Sequence, residues 1–242
     1  MTQSRRHEPA GGISIIFEDR DIIVINKPVG LLTIGTDREK TKTAHFLLND
    51  YVRKGNSKSS NRVYVVHRLD RETSGILVFA KSEQAKRYLQ DNWEKTEKHY
   101  LAILHGNLKE KEGTISSYLT ENRALKVYST NDPSKGRLSH TAYKVLEEQK
   151  GFTMVDVNLI TGRKHQIRVH FAEMGHPVVG DKKYVPDEAV SKRLALHACS
   201  IMFNHPFTRK PMTFDTGIPD EFVRLFRRLQ GITINDERGK KR

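Results

Sequence analysis

Nine residues that are mostly charged or polar, His67 to Gly75 (HRLDRETSG), interrupt a stretch that is otherwise strongly apolar. The run 63–66 (VYVV) precedes them and the run 76–80 (ILVFA) follows them, and short apolar runs of this kind are typical of buried strands. A charged loop between two buried strands lies at the mouth of a core, and functional residues concentrate on loops that a rigid scaffold positions in this way. The segment therefore predicts a strand–loop–strand unit that carries a functional site.

The remainder of the chain predicts many strands and few helices. Eight further apolar or alternating runs are typical of strands, at 13–17, 22–26, 98–106, 114–119, 124–128, 139–147, 152–159 and 194–203. Apolar residues at helical spacing predict four helices, at 41–53, 82–93, 163–174 and 219–229. Because strands outnumber helices and the two do not alternate regularly, the pattern favours an α+β fold with a large, mostly antiparallel sheet.

The charge balance is strongly basic, with 42 Lys and Arg residues against 29 Asp and Glu residues and a net charge of +13. An excess of this size makes a polyanion the expected partner, and nucleic acid is the first candidate. An anionic membrane surface is the alternative. The sequence contains no apolar run of membrane-spanning length and no strongly basic amphipathic helix, so we expect no membrane partner.

Compartment and domain organisation follow from what the sequence lacks. The single cysteine, Cys199, cannot form a disulfide framework, and the first residues lack the apolar core of a signal peptide, so we expect a cytoplasmic protein. No repeat and no Pro/Ser-rich linker divides the chain. We predict a flexible leader at residues 1–12, one domain at 13–230, a basic disordered tail at 231–242, and a monomer.

Asp70 is the first candidate for chemistry, because it lies between Arg68 and Arg71 in the charged loop. A lone aspartate in such a place is most often an ion-pair anchor that holds the loop. Neighbouring cations also keep a carboxylate ionised, and an ionised, positioned carboxylate can act as a nucleophile or as an electrostatic stabiliser. The placement between buried strands favours the chemical interpretation.

A second cationic segment, TGRKHQIRVH, covers residues 161–170. Arg163, Lys164 and Arg168 fall at the start and middle of the predicted helix, where basic side chains and free backbone amides bind anions such as phosphate. Arg168 has a second interpretation, because it adjoins Ile167 on the apolar side of that helix. A buried arginine requires a carboxylate partner, so Arg168 would then point inward to an acidic residue.

Tyr100 lies in the predicted strand KHYLAILHG. A tyrosine in a strand is usually a core residue, but one that faces a cleft is a platform on which a base can stack. Four histidines, at 165, 170, 176 and 205, could indicate a metal site. The 165/170 pair is spaced by five residues and no carboxylate ligand is near in sequence, so we predict no metal.

Four segments, in this order, resemble the RluA-type family of RNA pseudouridine synthases: HRLDRETSG, KHYLAILHG, LITGRKHQIRVHFAEMGHPVVGDKKY and RLALHACSIMFNHPFT. The likeness extends from about Ile13 to about Phe222. It implies a mixed, largely antiparallel sheet in two halves around a central active-site cleft. It also implies a reaction, the isomerisation of uridine to pseudouridine in RNA, that needs no cofactor.

The resemblance further implies roles for individual residues. Asp70 takes the position of the family's catalytic aspartate, Arg168 that of the arginine that pairs with it, and Tyr100 that of the tyrosine that stacks on the uracil. Arg68 takes the position of the arginine that helps to displace the target base, and Ile167 that of the aliphatic residue that packs on it. Other substrate contacts are expected from His67, Arg71, Arg163 and Lys164.

Departures from the family pattern bear on the choice of substrate. Residues 30–35 read GLLTIG where relatives often read GLxVHP, Thr208-Arg209 stands where relatives have Thr-Gly, and the small RNA-binding module that precedes the catalytic domain in many relatives is not expected here. We expect large-subunit ribosomal RNA as the substrate, with transfer RNA as the second choice.

The residues leave the chemical route open. A uridine within folded RNA must leave its stack before its glycosidic bond can be rearranged, and Asp70 could then act at C1′ of the ribose or at C6 of the base. A base must finally remove the C5 proton, and Tyr100 is a candidate. Two other classes of protein remain as alternatives. A non-catalytic RNA-binding or ribosome-assembly protein explains the charge equally well, and a base-excising glycosylase also extrudes a base and uses a carboxylate.

Overall fold

In the computed structural model, which describes residues 9–56, 58–185 and 190–229, the chain is built around one mixed sheet of 11 strands. The strands are β1 (Ser14–Glu18), β2 (Ile22–Lys27), β3 (Tyr64–Val65), β4 (Ser74–Ala80), β5 (Glu97–His105), β6 (Glu112–Glu121), β7 (Val127–Thr130), β8 (Arg137–Gln149), β9 (Phe152–Leu159), β10 (Leu196–Asn204) and β11 (Pro211–Asp215). The α-helices are α1 (Ala44–Arg53), α2 (Glu83–Asp91), α3 (Gln166–Glu173) and α4 (Asp220–Leu229). A short 3-10 helix covers Trp93–Lys95.

The strand order is β1-β2-β4-β10-β5-β9-β8-β6-β7, with β3 beside β4 and β11 beside β10. Among the described strands, β4 and β10 form the one parallel pair, and it is short, with His197 opposite Ser74 and Ala198 opposite Gly75. All other strand pairs in this order are antiparallel. The parallel contact joins two largely antiparallel halves, which confirms the predicted α+β fold and the two-part sheet.

Strands β2 and β4 are buried on both faces, which explains why their sequences are continuously apolar. One face contributes to the main core together with Leu48 of α1 and Phe222 of α4. The other face packs against Leu89 of α2 and Phe214 of β11 in a second core. The loop from β3 to β4, which carries Asp70, is therefore supported by core on both sides.

Several predicted boundaries were wrong. The run 63–66 contributes a strand of two residues, β7 begins later than the predicted 124–128 strand, and β11 was not predicted. Helix α3 begins at Gln166, so Arg163 and Lys164 precede it rather than lying in its first turn. The reason is local, because the side chain of Gln166 bonds backward to the 161–163 turn and holds those residues out of the helix.

The predicted tail at 231–242 and most of the predicted leader at 1–12 lie outside the described residues. No helix in the described part of the chain is long and apolar enough to cross a membrane.

Candidate active site

Asp70 lies in the loop between β3 and β4, and the backbone on both sides of it is fixed by hydrogen bonds from distant segments. The hydroxyl of Thr33 accepts from the N–H of Leu69 at 3.2 Å and donates to its carbonyl at 2.9 Å. The carbonyl of Arg71 accepts from the N–H of Gly30 at 2.8 Å. The Asp70 side chain itself is 26% exposed, so the loop presents a partly buried carboxylate from a rigid base.

Lys27, at the end of β2, adds a buried cation beneath this loop. Its side chain is fully buried, and its ammonium donates to the carbonyls of Pro28, Leu31 and Arg71 at 3.0, 2.8 and 3.3 Å. The three N–H donors of a lysine therefore each have an acceptor. Burial lowers the pKa of Lys27 to about 8, although the charges of Glu72 and Asp70 oppose the shift. Lys27 was not identified from the sequence.

Arg168 points inward from α3, as its position beside Ile167 predicted. It is 6% exposed, and its Nη1 donates to Asp70 Oδ2 at 3.3 Å. The opposite edge of the guanidinium binds a second carboxylate that was not predicted. Nε and Nη2 donate to Oδ2 and Oδ1 of Asp181, both at 2.7 Å. Burial acts to lower the pKa of Arg168, but the bonds to Asp181 and the charge of Asp70 outweigh it, so the net shift is upward.

His165 and Tyr184 complete the group around Asp70. His165 precedes α3 in a left-handed conformation, with φ of 53°. Its Nδ1 is 2.9 Å from the hydroxyl of Tyr184 and its Nε2 is 3.7 Å from Oδ2 of Asp70. Burial lowers the pKa of His165 to about 4 against the opposing effect of Asp70, so the imidazole is neutral at neutral pH. From the sequence, His165 was considered as a metal ligand and rejected, and Tyr184 was not singled out.

Gln166 fixes the turn that aims these residues. Its Oε1 accepts from the hydroxyl of Thr161 at 2.9 Å and from the N–H of Arg163 at 3.0 Å. Its Nε2 donates to the hydroxyl of Thr141 at 2.9 Å and to the carbonyl of His140 at 3.0 Å. The buried amide thus has all of its polar atoms bonded, which ties the start of α3 to β8.

A small pocket of about 60 Å³ lies beside Asp70. Tyr100 from β5 and Ile167 from α3 line it together with Leu159 and Leu196. Burial raises the pKa of the Tyr100 hydroxyl, and the charge of Asp70 raises it further, so this tyrosine is a neutral phenol at neutral pH. Aromatic and aliphatic walls next to a carboxylate suit a planar, uncharged ring.

A much larger cleft of about 1220 Å³ shares Asp70 with that pocket. Its lining carries three acidic residues, Asp70, Glu72 and Asp181. The nine Lys and Arg residues of the lining are Arg68, Arg71, Lys86, Arg163, Lys164, Arg168, Lys182, Lys183 and Lys192. A groove with this excess of positive charge fits a phosphate backbone.

The predicted substrate contacts differ in their freedom to bind. Arg68 and Arg163 are exposed in the cleft, whereas Arg71 donates from Nε to the Gly30 carbonyl at 3.1 Å and Lys164 pairs with Glu121.

His67 also lines the cleft, but its bonds tie it to the fold. Its Nε2 accepts from the N–H of Val78 at 3.1 Å and its ring stacks on Trp93 at 4.4 Å between centroids. Burial, with a smaller contribution from Lys98, lowers the pKa of His67 to about 3, so its imidazole is neutral at neutral pH.

A group of three potential metal ligands, Asp19, Asp21 and His205, lies away from this cleft. His205 Nδ1 accepts from the N–H groups of Phe207 and Thr208 at 3.2 and 3.1 Å, so its proton is on Nε2, which donates to Asp19 at 2.8 Å. His205 Nε2 and the Asp19 carboxylate are therefore already bonded to each other, and we assign no metal to this group.

A partly buried carboxylate held against an arginine, beside a small apolar pocket and within a cationic cleft, is an arrangement that suits an enzyme acting on nucleic acid. A sequence model described as RNA pseudouridylate synthase matches residues 21–173. The chain belongs to this family. The resemblance seen in the sequence is thereby confirmed, and the protein is an RNA pseudouridine synthase rather than a non-catalytic RNA-binding protein or a glycosylase.

Individual relatives agree with this membership. The chain is 38% identical over 199 residues to the dual-specificity RNA pseudouridine synthase RluA of Vibrio cholerae, covering 80% of this chain and 78% of that one. It is 33% identical over 225 residues to the ribosomal large subunit pseudouridine synthase C of Vibrio vulnificus, covering 89% and 69%. Among solved structures, human RNA pseudouridylate synthase domain containing 1 is similar with a TM-score of 0.71 and 27% identity, covering 90% of both chains.

Proposed function

We propose that this protein isomerises uridine to pseudouridine at specific sites of large-subunit ribosomal RNA, with Asp70 as the catalytic carboxylate. The observation that carries the assignment of Asp70 is its position. It is the carboxylate common to the small pocket and the cationic cleft, and Arg168 donates to it at 3.3 Å. A group in this position can reach both the ribose and the base of a nucleotide that enters from the cleft.

Entry of the nucleotide requires that the target base leave its stack. Extrusion costs roughly a few kcal/mol, and contacts in the pocket offset this cost. Tyr100 and Ile167 supply an aromatic and an aliphatic wall for the uracil, and the exposed Arg68 lies in the cleft where it can fill the space that the base leaves. The exposed Arg163 binds the phosphates around the displaced nucleotide. Arg71 and Lys164 contribute through the donors that their bonds to Gly30 and Glu121 leave available.

Asp70 then acts as a nucleophile at C1′ of the ribose or at C6 of the uracil. The N1–C1′ bond breaks, the uracil rotates within the pocket, and C5 bonds to C1′. The bond that Asp70 formed also breaks, either at C1′, where C5 displaces the carboxylate, or at C6, where the carboxylate leaves as the C5 proton is lost. The C5 proton leaves and a proton returns to N1, so the product is an isomer of the substrate. Because the pKa of Tyr100 is raised by burial, a phenolate at this position is disfavoured near neutral pH, and we assign Tyr100 to stacking rather than to removal of the C5 proton.

The choice of ribosomal RNA over transfer RNA rests on relatives, because the charge of the cleft suits either RNA. A relative that is 33% identical is named a ribosomal large subunit pseudouridine synthase, and the cationic lining of the cleft suits a structured RNA. The experiment described next also tests transfer RNA, which is the second choice of substrate.

The test compares a strain that lacks the gene with the same strain carrying the wild-type gene, Asp70→Asn or Asp156→Asn. Asp156 is the control because it is also a partly buried aspartate. It pairs with His99, and His99 faces the opposite side of the sheet from Tyr100 because the two are successive residues of β5. We expect wild type and Asp156→Asn to restore pseudouridine in large-subunit ribosomal RNA and Asp70→Asn to restore none.

Purified Asp70→Asn protein should still bind RNA, since the cationic lining is intact. Restoration by Asp70→Asn would contradict the role of Asp70. If pseudouridine is restored only in transfer RNA, the proposed substrate is wrong but the proposed reaction stands.

A further inference from the structure

Arg168 binds two carboxylates unequally. Asp181 takes the Nε–Nη2 edge of the guanidinium through two bonds of 2.7 Å, whereas Asp70 receives one bond of 3.3 Å from Nη1. The Asp181 side chain is fully buried and the Asp70 side chain is 26% exposed. A two-bond pairing of arginine with carboxylate is the strong, geometrically specific form of this interaction. The principal counter-ion of Arg168 is therefore Asp181, not Asp70.

The position of Asp181 is set independently of Asp70. Its Oδ1 also accepts from the backbone N–H groups of Lys183 and Tyr184 at 3.0 and 3.2 Å. The preceding residue, Gly180, has φ of +80°, and a Cβ there would come within 1.9 Å of the carbonyl oxygen of Arg193. Only glycine allows this approach, so the loop is locked against the 193 segment and Asp181 is in place before substrate arrives.

The charges of Arg168, Asp70 and Asp181 indicate how Asp181 affects Asp70. A buried arginine with one carboxylate in reach would draw that carboxylate into a two-bond pair, because an unpaired buried charge is costly. Both oxygens of the carboxylate would then be engaged and poorly placed to attack. Since Asp181 occupies the Nε–Nη2 edge, Arg168 has Nη1 left for Asp70, which orients Asp70 without enclosing it.

We propose that Asp181 is a positioning residue of the reaction, which binds the Nε–Nη2 edge of Arg168 so that Arg168 offers Asp70 a single hydrogen bond instead of a two-bond clamp. The proposal rests on the proposed role of Asp70 as the catalytic carboxylate. It gives the Gly180–Tyr184 loop a function that the sequence did not reveal.

The first test is Asp181→Asn, which preserves side-chain size and an oxygen for the backbone N–H groups but removes the charge. The substrate is total RNA labelled with tritium at uracil C5, isolated from a strain that lacks the gene, so that tritium release reports conversion in whichever RNA is modified. We expect the single-turnover rate to fall by about 10- to 100-fold, by analogy with the loss of a residue that supports a metal ligand. The dissociation constant for RNA should stay within about twofold, because Asp181 is buried and makes no contact with phosphate. Asp156→Asn, at wild-type rate, is the control.

A purely structural role is distinguished by combining Asp181→Asn with Arg168→Lys. Lysine has no Nε–Nη2 edge for Asp181 to bind. If Asp181 acts through Arg168, Asp181→Asn should therefore slow the Arg168→Lys variant by a much smaller factor than it slows the wild-type protein. Multiplication of the two effects would show that Asp181 acts independently of Arg168 and would overturn the proposal, as would a wild-type rate for Asp181→Asn.

If Asp181→Asn has no cooperative melting transition, Arg168→Lys alone decides. It retains the charge but cannot serve both carboxylates in the same way, so we expect at least a tenfold loss of rate, and a wild-type rate would refute the proposal. These outcomes are separate from failure of the proposed function, in which wild-type protein itself would release no tritium or Asp70→Asn would release it normally.

Discussion

At the scale of single residues, the hydroxyl of Tyr184 sets the tautomeric form of His165, the imidazole beside Asp70. Burial raises the pKa of Tyr184 to about 12, so its hydroxyl keeps its proton and can donate. We infer that it donates to Nδ1 of His165 across 2.9 Å, which places the imidazole proton on Nε2, the atom 3.7 Å from Asp70. Tyr184 therefore selects the form of His165 that presents a donor to Asp70.

Tyr184→Phe should separate this hydrogen bond from the packing of the ring. The phenylalanine ring can still lie against the guanidinium of Arg168, whose central carbon is 5.2 Å from the ring centre, but His165 loses its partner. We expect unfolding in urea to show a loss of about 1 kcal/mol, typical of one hydrogen bond, and the single-turnover rate to fall by a few fold. Tyr128→Phe, at a tyrosine that is 44% exposed, is the control. An unchanged rate would mean that the form of His165 does not matter to Asp70.

At the scale of secondary structure, the contact between β4 and β10 determines whether the site exists. It joins the half of the sheet that carries Asp70 to the half that carries Tyr100. At this contact Gly75 has φ of +115°, and a Cβ there would come within 2.2 Å of the carbonyl oxygen of Ala198. The join therefore depends on the absence of a side chain at one position.

Gly75→Ala should be among the most damaging single substitutions in the chain. The added methyl combines an unfavourable backbone conformation with overlap against backbone atoms that cannot move aside, and we expect a loss of roughly 3 kcal/mol or more. Chemical denaturation measures it, with Gly162→Ala as the control because a Cβ at Gly162 meets no atom within 4 Å. A loss below about 1 kcal/mol for Gly75→Ala would show that β4 and β10 can separate at little cost.

The elements show what local sequence can and cannot predict. The strand–loop–strand around Asp70 was predictable because apolar runs and a charged interruption are local signals. The contact of Gly75 with Ala198 was not, because it joins residues more than a hundred positions apart and a buried strand has the same pattern in parallel and antiparallel pairs. Strand β11 begins with Pro211 and buries one residue, Phe214, so its apolar signal is too weak to recognise.

Some residues of the candidate site could likewise be predicted from the sequence and others could not. Asp70, Tyr100, Ile167 and Arg168 could be named because they lie in motifs of a known family, and the structure brings all four together. Asp181 could not be named as the partner of Arg168, because a Gly-Asp pair in a polar segment has the signature of a turn. Only the count of donors on a buried guanidinium, which exceeds what one aspartate can satisfy, would have indicated a second carboxylate.

At the scale of the whole molecule, positive charge faces the cleft and neutral histidines lie in the interior. His170 connects Thr141 and Ser117, with distances of 2.9 and 3.0 Å from its two ring nitrogens. His197 connects Ser74 and Thr216 at 2.8 and 2.9 Å, next to the junction of the two half-sheets. Both are nearly inaccessible to solvent, so the fold requires that these imidazoles remain uncharged.

This requirement predicts that the protein loses stability in mild acid. Burial lowers the pKa of His170 to about 4 and that of His197 to about 4, whereas an unfolded histidine titrates at about 6.5. Between these values the unfolded chain binds protons that the folded chain does not, so the free energy of unfolding falls as the pH falls through this window. From pH 7 to pH 5 the loss should be about 2 kcal/mol for each of the two histidines.

Urea denaturation at pH 7, 6 and 5 measures this loss of stability. His170→Asn, although less stable at pH 7, should lose about 2 kcal/mol less than wild type over the same interval. An equal pH dependence in the two proteins would show that His170 is not held neutral by the fold.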